Sequence, residues 1–387
     1  MTREYVIAMA IRGEISWLQA ADICQLTPRH MRRLRQRYKT LGTLPRDGRV
    51  GRRMPHRLSQ ETRRTMVDLR RSRYADFSVK HVHEKLREAH GIEVSYTWTR
   101  AVLVHAGLLH PAPGPGRHFQ KRARREMCGM MVHCDASTHV WLAGLPHADL
   151  VIFLDDADGR LLFAEFVDQE GTLSTLRGLH HVLQAYGRFA EFYTDRGSHF
   201  CTTSSAGHGP NETQHTQVTR VLQTLGIRHI LAHTPQARGR CERAFRTLQG
   251  RLPQELRDQG IRTYEQANAF LRRQFIEDFN RRFTVQPTCA TCAFVPLLGV
   301  DLALLCSAHH DRTVRPDNTV TFRRTVLQIP PSEYRYSFAK CKVVVHQFPN
   351  LTLGISFQGH VLATFHPNGT LIPSSSTPTT TRQSGHL

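Results

Sequence analysis

The chain has 387 residues, enough for about two to four domains, and 40% of them are hydrophobic, so sizeable cores can be buried. Lys and Arg outnumber Asp and Glu by 52 to 32, and the net charge of +20 predicts attraction to polyanions. No apolar run reaches about 18 residues and no signal-peptide pattern begins the chain, so we expect neither a membrane span nor secretion.

The first predicted unit, residues 1–42, consists of three short helices, the last of them strongly basic. Thr27 is a good N-cap, and Pro28 fits the first position of that third helix. Two short helices, a tight turn and a basic third helix are typical of a helix-turn-helix, so DNA binding is predicted, with a solvated basic helix as the alternative. The predicted DNA contacts are the basic side chains of the third helix: Arg29, Arg32, Arg33, Arg35, Arg37 and Lys39.

Two basic linkers enclose a second helical unit. Residues 43–57 are rich in Gly, Pro and Arg, and Arg52 and Arg53 in this linker are predicted to bind a phosphate backbone or a minor groove. Residues 58–110 contain three predicted helices that each follow a serine, which indicates a second, winged or helix-turn-helix, DNA-binding domain. Residues 111–126 form the second flexible linker. Up to that point the chain contains 27 Lys and Arg against 11 Asp and Glu, so most of the basic excess precedes the core.

The predicted core, residues 127–287, has a mixed α/β pattern. Three β-like runs precede a helix, and two further strands then alternate with helices, in the order β-β-β-α-β-α-β-α-α. Residues 300–370 change to short β-type runs separated by turn residues, which predicts a small β-barrel. Residues 371–387 are rich in Ser, Thr and Pro and are predicted to be disordered. The predicted fold is therefore multidomain, with helical N-terminal units, an α/β core and a C-terminal β-barrel.

Nine cysteines are scattered without the pattern of a disulfide framework, as expected for reduced thiols in the cytoplasm. Cys289 and Cys292 form one close pair, but no second pair follows at zinc-finger spacing, so zinc binding there is a minor alternative. The 24 histidines are dispersed, and most are predicted to be solvated or hydrogen-bonded instead of metal ligands.

Three acidic residues in the core stand in settings that suit metal-binding carboxylates. Asp135 interrupts an apolar β-like run, Asp195 ends another strand, and Glu242 lies near the start of a helix. Mg²⁺ and Mn²⁺ take oxygen ligands, and two such ions about 4 Å apart can activate one oxygen and stabilise the other in phosphodiester chemistry. Three carboxylates on separate elements of a basic protein therefore predict metal-dependent chemistry on DNA phosphates. Asp155 and Asp156 are competing candidates, but they precede a turn signal and are interpreted as hairpin-capping residues.

Four segments of the core carry a resemblance to a known family. They are residues 132–137 (Val-His-Cys-Asp-Ala-Ser), 153–160 (Phe-Leu-Asp-Asp-Ala-Asp-Gly-Arg), 193–200 (Tyr-Thr-Asp-Arg-Gly-Ser-His-Phe) and 234–243 (Thr-Pro-Gln-Ala-Arg-Gly-Arg-Cys-Glu-Arg). With these motifs, residues 130–285 resemble the integrase core of DDE transposases and retroviral integrases, and most strongly that of bacterial insertion-sequence transposases. The combination of the four segments is specific, although no single one is.

The resemblance implies an RNase H-like core that cleaves DNA at the ends of an insertion sequence and transfers the freed 3′-hydroxyl to target DNA. It also implies that Asp135, Asp195 and Glu242 are the catalytic residues and hold two Mg²⁺ or Mn²⁺ ions per active site. The implied partners are double-stranded DNA, as terminal inverted repeats and as target, and at least one more copy of the chain, because two ends must be joined together. We expect such a protein to act in the bacterial cytoplasm, at the nucleoid.

Five arginines flank the predicted acidic site in the sequence. Such arginines can bind DNA phosphates or offset the repulsion between carboxylates, and ordinary surface charge is the alternative. We predict DNA contacts for all five: Arg196, Arg238, Arg240, Arg243 and Arg246.

The chain departs from the family's pattern in two places. Asp195 and Glu242 are 47 positions apart, a longer spacing than is common in the family, and the excess fits the polar insertion at residues 201–215. Ala136 stands where related chains often have Gly. Two other functions stay open: a catalytically inactive, transposase-derived regulator that binds DNA, and an RNase H-like nuclease without transfer activity. The intact carboxylates argue against the first, and the tandem DNA-binding units argue against the second.

Overall fold

A computed structural model describes residues 3–42, 59–109, 123–202, 215–232, 239–332 and 335–373. The chain divides into two compact units, one within residues 1–73 and 86–109 and the other within residues 74–85 and 110–387. Several predicted features lie outside the described residues: the linker 43–57 with Arg52 and Arg53, residues 111–122 of the second linker, residues 203–214 of the insertion, Arg238, and residues 374–387 of the tail.

The first unit contains the helices that the sequence predicts, with local capping at their ends. Ser16 and Gln19 form a capping box, in which each side chain accepts a hydrogen bond from the backbone N–H of the other. Thr27 caps the third helix, and Gly42, with a φ of 67°, ends it in the left-handed conformation that favours glycine. The helices are α1 (Arg3–Arg12), α2 (Trp17–Ile23), α3 (Pro28–Leu41), α4 (Gln60–Ser72), α5 (Val79–Glu88) and α6 (Tyr96–His105), and the boundary between the two units falls within α5.

Helices α1 to α3 pack around a small apolar core. Val6 and Ile7 of α1, Ala20 of α2 and Met31 of α3 are buried there, and Leu34 packs against them. Met31 and Leu34 therefore form an apolar face of the third helix. The assignment of this unit as a helix-turn-helix that binds DNA stays a prediction.

A five-stranded mixed sheet organises the second unit and confirms the predicted α/β core. The parallel strands are β1, β4 and β5, whereas β2 is antiparallel to both β1 and β3. Helix α7 (Thr172–Tyr186) connects β3 to β4, and α8 (Gln217–Thr224) connects β4 to β5. Neighbouring parallel strands need such a crossover connection. In the order β3-β2-β1-β4-β5, the sheet consists of β3 (Leu161–Val167), β2 (Ala148–Asp155), β1 (Met131–His139), β4 (Glu191–Thr194) and β5 (Arg228–Leu231).

The two faces of this sheet are covered by different helices. Val132 and Cys134 of β1 and Phe192 of β4 pack into one core with α7 and α8. Because side chains alternate along a strand, His133 and Asp135 point to the opposite face. That face carries a second apolar core, to which the helices α9 (Gly239–Gln249), α10 (Leu252–Asp258), α11 (Tyr264–Phe270) and α12 (Ile276–Phe283) contribute.

Two asparagines satisfy the backbone of the edge strand β3. Asn268 Oδ1 accepts a hydrogen bond from Phe166 N at 2.7 Å, and Asn268 Nδ2 donates one to Phe166 O at 2.9 Å. Asn280 makes the same two hydrogen bonds with the backbone of Leu161, at the same distances. An edge strand otherwise exposes unpaired backbone groups to other chains. Between the asparagines lies a π-helical segment, Leu271–Phe275, in a helix that the sequence predicts as uninterrupted. The wider turn rotates α12 relative to α11, and both asparagines face β3.

The C-terminal region is β-rich, as predicted, but the predicted closed barrel is not confirmed. In the part of the chain that the structure describes, its main sheet is open, in the order β12-β11-β10-β9-β6, and a separate hairpin joins β7 to β8. None of the described helices is both long and apolar enough to cross a membrane. The elements are α13 (Leu302–Leu305), β6 (Ala308–Thr313), β7 (Thr319–Phe322), β8 (Thr325–Gln328), β9 (Lys342–Gln347), β10 (Leu353–Phe357), β11 (His360–Phe365) and β12 (Leu371–Ile372).

A dense ionic network joins α5 to the helices of the core. His81 Nε2 lies 2.7 Å from Glu255 Oε1, and Lys85 Nζ donates to Glu255 Oε2 at 2.6 Å and to Asp258 Oδ2 at 3.0 Å. Glu84 makes further ion pairs with two arginines of the core. Residues 74–85 therefore belong to the core unit, although the sequence places them within the second helical unit. The predicted domain boundaries stay predictions.

The Glu255 carboxylate makes the stability of this unit dependent on pH. Burial alone would raise the pKa of Glu255, but the hydrogen bonds from His81 and Lys85 outweigh burial and lower that pKa to about 2 from its ordinary 4.5. A folded-state pKa below the unfolded-state value means that the folded state binds fewer protons. The stabilisation is present above about pH 4.5 and is lost as the pH falls towards 2.

We therefore expect Glu255→Gln to lower the free energy of unfolding by about 3 kcal/mol at pH 7, and the difference from wild type to shrink as the pH falls from 4.5 to 2. Urea unfolding over this pH range measures the difference without adding salt. Burial also raises the pKa of Asp155 to about 6, but this affects wild type and the variant equally. It therefore does not change the difference in stability between them. A difference that stays constant down to pH 2.5 would contradict the assignment.

Candidate active site

Asp135 lies on β1, and Asp195 follows the last residue of the neighbouring parallel strand β4. The pairing of β1 with β4 matches Met131 to Glu191 and ends with His133 opposite Tyr193, so both aspartates follow the paired residues at the same end of the two strands. Asp135 points to the face covered by α9, because Val132 and Cys134 pack into the opposite core. Among the described residues, Asp135, Asp195 and Glu242 do not form a group whose ligand atoms all lie within 4.8 Å of one another.

Each of the two aspartates is oriented by a backbone N–H that follows it. Ala136 N donates to Asp135 Oδ1 at 3.0 Å, and Gly197 N donates to Asp195 Oδ1 at 2.8 Å. A Cβ at position 197 would lie 3.1 Å from that same Asp195 oxygen, so glycine leaves room for the carboxylate. The Asp195-Arg-Gly segment is thus a local turn whose geometry fixes the side chain at the end of β4.

Glu242 reaches the same site from helix α9. Cys241, Ala244 and Leu248 of this helix are buried in the core, at the spacing of one helical face. Glu242 lies beside that face in the first turn, where the partial positive charge of the helix N-terminus favours a carboxylate. Asp135 and Glu242 both line a cavity of about 410 Å³.

Most of the remaining wall of this cavity comes from residues that the sequence did not single out, with Ala136 and Arg246 as the exceptions. The cavity is lined by Ala136 and Ser137 of β1 and by Phe245, Arg246 and Gln249 of α9. Gln249 Nε2 donates to Ser137 Oγ at 2.9 Å and so links the helix to the strand. Helical spacing could have predicted two of these residues, Phe245 and Gln249. They follow Glu242 by three and seven positions and therefore lie on the same side of the helix.

The arginines predicted to bind DNA fall into three groups. Arg196, Arg243 and Arg246 are exposed, as are the six basic residues of α3, and their DNA contacts stay predictions. Arg52, Arg53 and Arg238 lie outside the described residues. Arg240 differs from the expectation of an exposed arginine: its side chain is 11% exposed, and Nε lies 2.5 Å from Asp156 Oδ1.

A second acidic cluster lies in the turn between β2 and β3. The possible ligand atoms of Cys128, Asp155 and Asp158 are within 4.8 Å of one another. Their oxygens already accept backbone hydrogen bonds: Asp155 accepts from Gly129 N and Ala157 N, and Asp158 accepts from Arg160 N. Burial and the nearby carboxylates raise the pKa of Cys128 to about 12, which disfavours a thiolate ligand. The capping role predicted for Asp155 is therefore confirmed. Cys289 and Cys292 belong to no such group among the described residues.

Comparisons with known proteins identify the family. The chain is 33% identical over 368 residues to the transposase y4bF of Sinorhizobium fredii (strain NBRC 101917 / NGR234), a match that covers 94% of this chain and 79% of that protein. The chain belongs to the transposases. It is also 28% identical to the transposase for insertion sequence IS1202 of Streptococcus pneumoniae, over 73% of this chain and 68% of that protein. No family model matches the chain.

Two solved structures show a partial likeness to this transposase. One is the catalytic core domain of HTLV-2 integrase in complex with magnesium, with 15% identity and a TM-score of 0.30, over 39% of this chain and 91% of that one. Another is the simian T-cell lymphotropic virus intasome in complex with the PP2A regulatory subunit B56 gamma, with 12% identity and a TM-score of 0.33, over 80% of this chain and 100% of that one.

Proposed function

We propose that Asp135, Asp195 and Glu242 are the catalytic carboxylates of this transposase. The observation that carries the proposal is the convergence of Asp135 and Glu242 on one cavity, with Asp195 directly after the strand that pairs with β1. Divalent metal ions fit this site, because its acidic donors are carboxylate oxygens, the ligands that Mg²⁺ and Mn²⁺ prefer. Two ions per active site, held by these three residues, are the proposed cofactors. When bound, such ions polarise the phosphodiester and favour deprotonation of the attacking oxygen.

The residues of the chain determine where the reaction occurs. The scissile phosphate of a DNA end lies at the cavity, where Asp135 and Glu242 approach it from a strand and a helix. The exposed guanidinium groups of Arg243 and Arg246 offset the repulsion between the phosphate and the carboxylates. Water first cleaves the phosphodiester at the end of the element, and the freed 3′-hydroxyl then attacks a phosphodiester of the target DNA.

The proposed partners are double-stranded DNA and a second copy of the chain. Terminal inverted repeats supply the specific sites, and joining two ends to one target requires at least two active sites. The substrate lies at the nucleoid, in the bacterial cytoplasm. The direct test is incubation of the full chain with Mg²⁺, a linear DNA that carries the repeats flanking its gene, and a supercoiled target. Cleaved and joined products support the proposal, whereas specific end binding without any product would support the alternative of a DNA-binding regulator.

The basic helix α3 is proposed to bind the repeat. Replacing Arg32 and Arg33 with alanine is expected to weaken end binding. The plot of log affinity against log salt concentration is expected to become less steep by about 2, because each lost phosphate contact removes about one released counterion. Titrations of a labelled end at several salt concentrations measure the slope. The matched control is the pair Arg315→Ala and Arg324→Ala, which removes the same charge from exposed positions of the C-terminal region. Equal slopes for the two double variants would exclude α3 as the contact.

A further inference from the structure

A buried ionic cluster lies directly behind the proposed catalytic carboxylates. Asp156 follows β2, and its side chain is fully buried. Asp156 Oδ1 lies 2.7 Å from His133 Nε2 and 2.5 Å from Arg240 Nε, while Asp156 Oδ2 accepts a hydrogen bond from Arg125 N at 2.7 Å. Arg240 also donates from Nη2 to the carbonyl oxygen of Ala123 at 2.8 Å.

The two side chains that meet at Asp156 each precede a proposed metal ligand by two residues. His133 is on β1 and points to the same face of the sheet as Asp135. Arg240 is in the first turn of α9, the turn that also carries Glu242. A single carboxylate therefore connects the strand of one ligand with the helix of another.

We propose that Asp156 is a positioning residue, which holds the first turn of α9 at a fixed place relative to β1 and so sets the separation of Glu242 and Asp135. The inference rests on the proposed function, since it concerns the geometry of those ligands. Besides the hydrogen bond from Arg240 to Ala123, this end of α9 contacts the core through the apolar side chains of Cys241, Ala244 and Phe245, and apolar contacts have little directionality. Asp156 adds an ion pair with Arg240 on the helix and a hydrogen bond with His133 on the strand, so one buried carboxylate links the two elements.

Stability alone gives little reason to bury this cluster. Burying ionised groups costs desolvation free energy, and well-packed apolar residues of similar volume are often equally stabilising. Asp158 offers a contrast within the same hairpin, because it pairs at 3.3 Å with Arg160, whose side chain is 48% exposed and lies on the hairpin itself. The Asp156 cluster is distinguished from this pair by its contacts to the two elements that carry catalytic ligands.

The decisive variant is the apolar pair Asp156→Leu with Arg240→Met, which removes both charges of this ion pair and also the acceptor of His133 Nε2 and Arg125 N. We expect the full chain with this pair to fold and to retain its binding to a DNA end. Its affinity for Mn²⁺, measured without DNA from the electron paramagnetic resonance signal of free Mn²⁺, is expected to fall roughly tenfold or more. The Mn²⁺ concentration for half-maximal cleavage is expected to rise by a similar factor.

Two further variants complete the test. Arg160→Gln, the control in the same hairpin, is expected to match wild type in Mn²⁺ affinity and cleavage. Arg240→Lys keeps the positive charge but moves the donor, so it decides the question if the apolar pair does not fold: we expect weakened Mn²⁺ binding at a wild-type unfolding midpoint. If the apolar pair folds, wild-type Mn²⁺ affinity in that variant would overturn the positioning role. If the apolar pair does not fold, wild-type Mn²⁺ affinity in Arg240→Lys would overturn it.

The same assays separate this inference from the proposed function. If Asp135→Asn binds Mn²⁺ and cleaves DNA like wild type, the catalytic assignment fails, whatever the Asp156 variants do. If Asp135→Asn is inactive while the Asp156 variants behave like wild type, the catalytic assignment stands and the positioning role alone is lost.

Discussion

Replacing Asp135 with asparagine is expected to lower the rate of DNA-end cleavage at least about a thousandfold, equivalent to about 4 kcal/mol in the activation free energy. Asparagine has nearly the same shape, and its amide oxygen can still accept the hydrogen bond from Ala136 N. The buried strand β1 should therefore fold normally. The change removes the negative charge that a divalent ion needs, because a neutral amide is a much weaker ligand for Mg²⁺ than a carboxylate.

Cleavage of a labelled terminal repeat in Mg²⁺ measures the effect, and a gel-shift titration in EDTA measures end binding separately. Asp168→Asn is the matched control, because Asp168 is an exposed aspartate just beyond β3 and the substitution changes charge by the same amount. We expect the control to cleave at the wild-type rate and both variants to bind the end equally. Cleavage by Asp135→Asn within tenfold of wild type would remove Asp135 from the catalytic centre.

Local patterns in the sequence were sufficient for most strands and helices. The sequence predicts a strand at residues 161–167 and a helix at residues 172–186, and these bounds agree with β3 and α7, because alternation and helical periodicity are local and because Gly171 and Gly187 flank the helix. The sequence also indicates that Asp135 and Asp195 lie on one sheet, since Asp135 interrupts one apolar β-like run and Asp195 ends another. The sequence did not predict which residues of β1 pair with which residues of β4, because the partners are 60 positions apart.

Features that depend on distant contacts were not predicted. Arg240 looks like a surface arginine in the sequence, and only the approach of Asp156, 84 positions earlier, makes its burial tolerable. His81 and Glu255 are 174 positions apart, so the sequence assigns α5 to its neighbouring helices instead of to the core. The C-terminal strands were recognised from alternation, but whether a sheet closes depends on the pairing of its outer strands, which local patterns do not encode.

Among changes that affect stability, Glu84→Ala is expected to have the largest effect, lowering the free energy of unfolding by about 3–5 kcal/mol. Glu84 Oε2 accepts hydrogen bonds from Arg251 at 2.7 Å and from Arg282 at 2.6 Å. The side chains of Glu84 and Arg251 are each only 9% exposed, so removal of the carboxylate leaves a guanidinium buried without its anion. Stacking of Arg251 on the ring of Phe283, at 5.1 Å, compensates for only part of this loss.

Urea unfolding at pH 7 measures the change, with Glu88→Ala as the control at the end of the same helix. Glu88 is exposed and pairs with Arg87 at 3.6 Å, so its removal is expected to cost less than about 1 kcal/mol. The double variant Glu84→Leu with Arg251→Met should recover part of the lost stability, because it removes the buried charge of Arg251 together with its anion, while Arg282 still loses its contact to Glu84. If Glu84→Ala is no more destabilising than Glu88→Ala, then α5 does not pack on the core in solution, and residues 74–85 belong to the second helical unit, as the sequence alone suggests.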